Sequence, residues 1–339
     1  MKRGLVLGGG GLVGMAYHAG VLKALEEQGL DVSVADVIVG TSAGSVIASY
    51  LASGWDMADF YDYAQGRHPD AESNPDEQRR EIGRIFTPLS RSRAERVRRS
   101  LGSLFAAAAS RGYLRPVLAG GRIPASALRR AFPSGLYSTT ESRLRFSDDL
   151  PQQWPLPGLY LCTVDLYTGR RVAFGHPSAP PASLPEAVLA STAIPGVFPP
   201  VRIGDRQYVD GGVATATSLD LATGDGCDAI LCVAPLGYRN DGVVAVREPK
   251  LWAPMLLRSL FARALSREVR EARAKGVHVL VIRPWVTELR SHGTNSMRHF
   301  DRAAFSEAAR VGTLRLLEGF ADHPVLASYK AGADEERAG

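Results

Sequence analysis

The stretch Val37-Ile38-Val39-Gly40-Thr41-Ser42-Ala43-Gly44-Ser45-Val46-Ile47-Ala48-Ser49-Tyr50 starts as a strand and finishes as a helix. Its β-branched apolar run stops at Gly40, and apolar residues return after Gly44 at helical spacing. A serine between two glycines joins the halves. The plain reading is a tight turn. The sharper reading is a nucleophile, held in a strained backbone where neighbouring residues must be small. Its hydroxyl then stands at the N-terminus of a helix beginning near Ala43, whose free N–H groups and partial positive charge suit a developing oxyanion. Gly-x-Ser-x-Gly occurs by chance in many chains, so the rest of the sequence must decide.

Upstream, Leu5-Val6-Leu7 reads as a short first strand running into Gly8-Gly9-Gly10-Gly11-Leu12-Val13-Gly14, with an amphipathic helix over 15–29 stopped by Gly29. Gly9-x-Gly11-x-x-Gly14 between strand and helix is also the dinucleotide-binding signature, and Asp31 could play its ribose-binding acid. That acid should close the second strand, whereas Asp31 precedes it. The competing reading is a glycine loop that turns successive amides toward Ser42 as an anion nest.

Two βα units in immediate succession predict a parallel sheet covered by helices. From Trp55 to about Pro133 strand signals disappear and helices are expected at 56–66, 76–86, 91–111 and 124–131, a helical insertion that could cover a site as a lid. Strands return at 158–166 and 170–175 as a hairpin, followed by a helix at 184–192. Arg202 to Val213 forms a second hairpin. Buried strands are expected at 227–236 and 277–285, with helices at about 250–275 and 301–319. Residues 236–325 read as a C-terminal extension packed on one catalytic domain spanning 1–339, and the tail 330–339 as disordered.

With 45% hydrophobic and 22% charged residues in 339, the chain has ample material for a core. No apolar run approaches a membrane span. The basic N-terminus followed by four apolar residues reads as a strand and not a secretory signal. Cys162, Cys227 and Cys232 form an odd set without C-x-x-C spacing, which points to reduced core thiols in a cytoplasmic protein. Eight arginines lie between Arg79 and Arg99 within a net charge of +5. Few aromatics are interleaved, so nucleic acid is not the expected partner. A solvated helix face is the bland alternative, and peripheral contact with an anionic membrane surface the sharper one, with Leu104-Phe105 supplying an apolar side.

A serine nucleophile needs a base. None of His18, His68, His176, His278, His292, His299 and His323 sits in a convincing strand-end loop, and His18 reads as support for the glycine loop. Asp210 in Tyr208-Val209-Asp210-Gly211-Gly212 closes a strand and is followed by two glycines, which leaves room for close approach. The alternative is an ordinary Asp-Gly turn. A carboxylate serves as a base when its surroundings adjust its pKa.

Gly9-Gly10-Gly11-Leu12-Val13-Gly14, Gly40-Thr41-Ser42-Ala43-Gly44 and Asp210-Gly211-Gly212, in this order, resemble the patatin-like phospholipase family. His18-to-Glu27 after the loop, Leu159-to-Phe174, and Ala190-to-Val201 before the acid are similar to it too. The resemblance covers roughly 4–235 outside the insertion. It implies a three-layer α/β/α fold with a central, mostly parallel sheet, and a Ser42–Asp210 dyad without histidine. Gly9, Gly10 and Gly11 would form the oxyanion hole, with Gly14, Gly40, Gly44, Gly211 and Gly212 as motif support. It implies a lipid or other acyl-ester substrate hydrolysed through an acyl-enzyme, with no cofactor and no metal. Two departures stand out. Val13 occupies a position often basic in the family, and Val213-to-Ala222 replaces the usual Asn-x-Pro segment. A catalytically silent lipid-binding relative is the alternative they raise.

Overall fold

The computed structural model describes residues 1–90, 92–110, 134–239, 252–285, 288 and 301–330. In chain order the first elements are β1 (Arg3–Leu7), α1 (Gly11–Glu27), β2 (Val37–Thr41), α2 (Ala43–Ala52) and α3 (Met57–Gln65). Then come α4 (Pro75–Ile85), α5 (Arg93–Ser110), α6 (Thr140–Asp149), β3 (Leu159–Asp165), β4 (Arg171–Phe174) and α7 (Leu184–Ser191). The remainder is β5 (Val201–Ile203), β6 (Arg206–Asp210), α8 (Leu219–Gly224), β7 (Ala229–Val233), α9 (Trp252–Ala274), β8 (His278–Ile282), α10 (Arg302–Glu318) and α11 (Pro324–Ser328). These elements divide into two compact units, Met1–Asn74 with Thr215–Gly339, and Pro75–Ala214.

In the first unit every strand pair is parallel: β1 with β2, β1 with β7, and β7 with β8. Leu5 lies level with Ile38 on one side and Leu231 on the other. β1, β2 and β7 are buried along their whole length, as strands covered by helices on both faces must be. α1 packs on α3 and α10, α2 on β1 and β2, while α8 and α9 pack on each other and on the strands. Because β1 and β2 end side by side at Leu7 and Gly40, the glycine loop and the serine turn emerge together from one edge of the sheet.

In the second unit the pairing is antiparallel, β3 with β4 and β6, and β5 with β6. α7 covers β3, β5 and β6, and Val164, Leu166 and Val209 form a small core with Val213 against it. Helices thus flank strands throughout, the α/β/α arrangement expected from the sequence, with parallel and antiparallel pairing in different units.

α6, α8 and α11 carried no clear sequence signal. α6 buries only Phe146, and α8 and α11 span six and five residues, too short to show a period. Within the described part of 55–133, α3 belongs to the first unit and α4 and α5 to the second. The expected helix at 124–131 and the tail beyond Lys330 lie outside the described residues. Among the described residues no helix is long and apolar enough to cross a membrane.

Candidate active site

Ser42 ends the β2 strand and caps α2 with φ 53° and ψ −119°. A side chain is rarely held there, and such strain costs about 1–3 kcal/mol. What enforces it is the packing of Gly44: a Cβ on that residue would lie 1.9 Å from the Leu7 carbonyl oxygen. The chain therefore turns within one residue, with α2 starting directly over the end of β1. Ser42 is 5% exposed, and its carbonyl accepts the Ser45 hydroxyl at 2.6 Å.

The glycine loop lies against this turn. A Cβ on Gly9 would stand 3.3 Å from Ser42 Cβ, and one on Gly14 3.4 Å from Ala43 Cβ. The N-termini of α1 and α2 thus come together beside Ser42, and neither helix has an acid in its first turn to offset its positive end. The three loop amides expected to face the reaction centre are not equivalent. Gly9 N–H donates to the Ala216 carbonyl at 2.8 Å, and Gly8 N–H to Val233 at 2.8 Å. Among the described residues, Gly10 and Gly11 donate to no backbone carbonyl, so these two carry the loop's available amides.

His18 is wholly buried in α1, with its Nε2 2.8 Å from the Gly8 carbonyl. Burial lowers its pKa to about 4, so the ring is neutral, Nε2–H donates to Gly8, and Nδ1 has no partner among the described residues. It holds the loop from behind, as the sequence suggested. Val13 is buried and brings no charge to the loop.

In the second unit, Asp210 closes β6 and is 4% exposed. Its N–H donates to the Ala193 carbonyl at 3.0 Å, and its Oδ1 accepts Gly212 N–H at 2.7 Å. Gly211 must lack a side chain, because a Cβ would lie 2.4 Å from the Cys162 carbonyl oxygen. The carboxylate is thereby oriented by its own backbone turn.

Asp31, the acid of the dinucleotide reading, accepts the Ser33 amide and hydroxyl in a local turn ahead of β2, away from any strand end. His68 packs on Trp55, His176 pairs with Ser178, and His323 caps α11. Among the described residues no group of three or more His, Cys, Asp or Glu side chains is arranged to hold a metal. Cys162, Cys227 and Cys232 are buried and form no disulfide. Sequence reasoning missed Glu268 on α9, a buried acid that gathers three hydrogen bonds from Thr215 to Leu219. An acid in a charged amphipathic helix gives no sign of burial.

A family model described as patatin-like phospholipase matches residues 5–223. An NTE family protein of Mycobacterium tuberculosis (strain H37Rv) is 27% identical over 230 residues, 68% of this chain and 30% of that protein. Lysophospholipase NTE1 of Saccharomyces cerevisiae is 50% identical over 58 residues, 17% of this chain and 3% of its own length. The chain thus spans about a third or less of these curated relatives. Among solved structures, VipD from Legionella pneumophila aligns with a TM-score of 0.44 at 17% identity, covering 94% of this chain and 67% of that one.

Proposed function

Because the chain belongs to the patatin-like phospholipase family, we propose that it is a serine lipid acyl hydrolase with Ser42 as nucleophile and Asp210 as general base. The observation that carries this reading is the Ser42 backbone, strained at φ 53° and locked there by Gly44 packed on Leu7. A turn that only reverses the chain would use glycine at that position and avoid the cost.

In the proposed reaction Asp210 takes the hydroxyl proton as Ser42 Oγ bonds to the ester carbonyl carbon. The carbonyl oxygen becomes an oxyanion, received by the Gly10 and Gly11 amides and by the N-terminus of α2. As the tetrahedral species collapses, the C–O bond to the alcohol breaks and that alcohol leaves with the proton held by Asp210. Water then attacks the acyl-serine, Asp210 accepts its proton, and the fatty acid is released while Ser42 regains its hydrogen. No cofactor or metal is part of this scheme.

Lysophospholipids are the first substrate class to test, since the similar NTE1 is named a lysophospholipase. Peripheral contact with an anionic lipid surface is part of the same reading. On α5, Val97 and Leu101 stand 57% and 51% exposed beside Arg93 and Arg96, an apolar and basic face suited to headgroups.

The test is intact mass after treatment with a fluorophosphonate. One adduct is expected on the native chain, none on Ser42→Ala, and slower labelling of Asp210→Asn. An unlabelled native chain, beside a control hydrolase that reacts, would leave the silent lipid-binding relative as the better reading.

A further inference from the structure

We infer that Glu268 is a positioning residue for the glycine loop, gripping Thr215–Leu219 so that the Ala216 carbonyl holds Gly9 and aims Gly10 and Gly11 at Ser42. The catalytic part of this inference rests on the hydrolase reading above; the structural part does not.

Glu268 is 8% exposed, with no Lys or Arg partner among the described residues. Its Oε1 accepts the Thr215 hydroxyl, while its Oε2 accepts the Thr217 hydroxyl at 2.8 Å and Leu219 N–H at 3.0 Å. All three donors come from one five-residue segment, so both carboxyl oxygens are committed to it. That segment is not relaxed, because Ser218 sits at φ 55° without being glycine. Glu268 thereby caps the start of α8 and fixes the loop that leads into it. That loop meets the glycine loop at the Ala216 carbonyl, which receives Gly9 N–H at 2.8 Å. Gly9 in turn lies against Ser42.

The same helix grips the loop's other support. Arg258 is 5% exposed and donates to the Pro235 carbonyl at 2.8 Å and more weakly to Gly237 at 3.4 Å. Pro235 packs on Gly10 and Gly14, and the nearby Val233 carbonyl receives Gly8 N–H. Arg258, Phe261, Leu265 and Glu268 follow one another by three, four and three residues, so they share one face of α9. Phe261 and Leu265 line a small hollow against Gly8, Gly9, Thr217 and Leu236. One face of α9 therefore backs both segments that fix Gly8 to Gly10.

The experiment compares the full chain with Glu268→Ala, Glu268→Gln, and Leu326→Ala as a control for stability loss alone. Amide hydrogen exchange and turnover of a soluble nitrophenyl ester are read well below each melting temperature. Glu268→Ala is expected to speed exchange at Gly9 about tenfold relative to α10. Its kcat should fall about 10- to 100-fold with KM within about twofold, the pattern of displaced oxyanion donors. Glu268→Gln keeps one acceptor and rotatable threonine hydroxyls, so it should fall between the native chain and Glu268→Ala on both readouts. It alone decides if Glu268→Ala does not fold. Unchanged exchange at Gly9, or a kcat loss no larger than that of Leu326→Ala, overturns the proposal. A native chain without esterase activity whose Gly9 exchange still responds to Glu268 sinks the hydrolase reading and leaves the grip standing.

Discussion

Replacing Ser42 by glycine should make the protein more stable than replacing it by alanine, although both remove the proposed nucleophile. Ser42 holds φ 53° and ψ −119°, and alanine keeps the Cβ that makes this backbone unfavourable. The strain is worth about 1–3 kcal/mol. Against it, glycine loosens the unfolded chain and loses about 0.4–1 kcal/mol relative to alanine. The balance lies between about 0 and 2.6 kcal/mol in favour of Ser42→Gly, centred near ~1.3 kcal/mol, or a Tm higher by about 2 °C in a chain of 339 residues. The comparison is clean because both variants lack the hydroxyl and differ only in the Cβ. Calorimetry and urea unfolding of the two variants, with the native chain between or beside Ser42→Ala, provide the measurement. A glycine variant less stable than Ser42→Ala by about 0.4–1 kcal/mol, the unfolded-chain cost alone, would show that the turn carries no strain and would remove the observation on which the nucleophile rests.

Other outcomes follow from the same geometry. His18 has its pKa lowered from 6.5 to about 4, so between those values the unfolded chain binds the extra proton. Stability should therefore be full above pH 6.5 and fall by about 3 kcal/mol as pH drops to about 4. His18→Gln, which can still donate to Gly8, should flatten that slope in pH-dependent urea unfolding. Iodoacetamide should leave Cys162, Cys227 and Cys232 unmodified in the native chain and alkylate all three after unfolding, read by intact mass. Burial supports this by pushing the Cys227 thiol up to about 12 and Cys232 higher still. Vesicles with anionic headgroups should co-sediment the chain in a salt-sensitive way, and Val97→Glu with Leu101→Glu should abolish the binding. Binding unaffected by that pair or by salt would discard the α5 face as the contact.

The local features were legible because local chemistry decides them. A β-branched run ending in Gly-x-Ser-x-Gly has few options besides strand, sharp turn and helix, and β2, Ser42 and α2 occupy those positions. The β3–β4 and β5–β6 hairpins were equally readable, each with one turn glycine, Gly169 and Gly204, between its strands. Distant pairings were not. Nothing in the sequence near Gly9 tells that its amide is spoken for by Ala216, or that Glu268 is buried beneath Ala216. A glutamate in an arginine-rich helix reads as a solvated face, and only the tertiary fold turns it inward. α6 escaped notice for the opposite reason, since a helix burying one residue has no stripe to detect.

Val13 leaves the proposed oxyanion hole to be built from position and not from side-chain charge. A basic residue at that position would bring a full positive charge to the glycine loop, whereas Val13 is buried and neutral. The electrostatic load in the proposed reaction then falls on the ends of α1 and α2, each equivalent to roughly half a charge and effective only over its first turn. Partial charges of that range act well only when held in place, because a small displacement removes most of their effect. The neutral imidazole behind Gly8, the carbonyls fixing Gly8 and Gly9, and the α9 face behind them are all devices for position and not for charge. A site built this way should tolerate Val13→Leu, which keeps position, better than Gly10→Ala, whose Cβ would meet Gly14 Cα at 2.6 Å and push the loop away from Ser42.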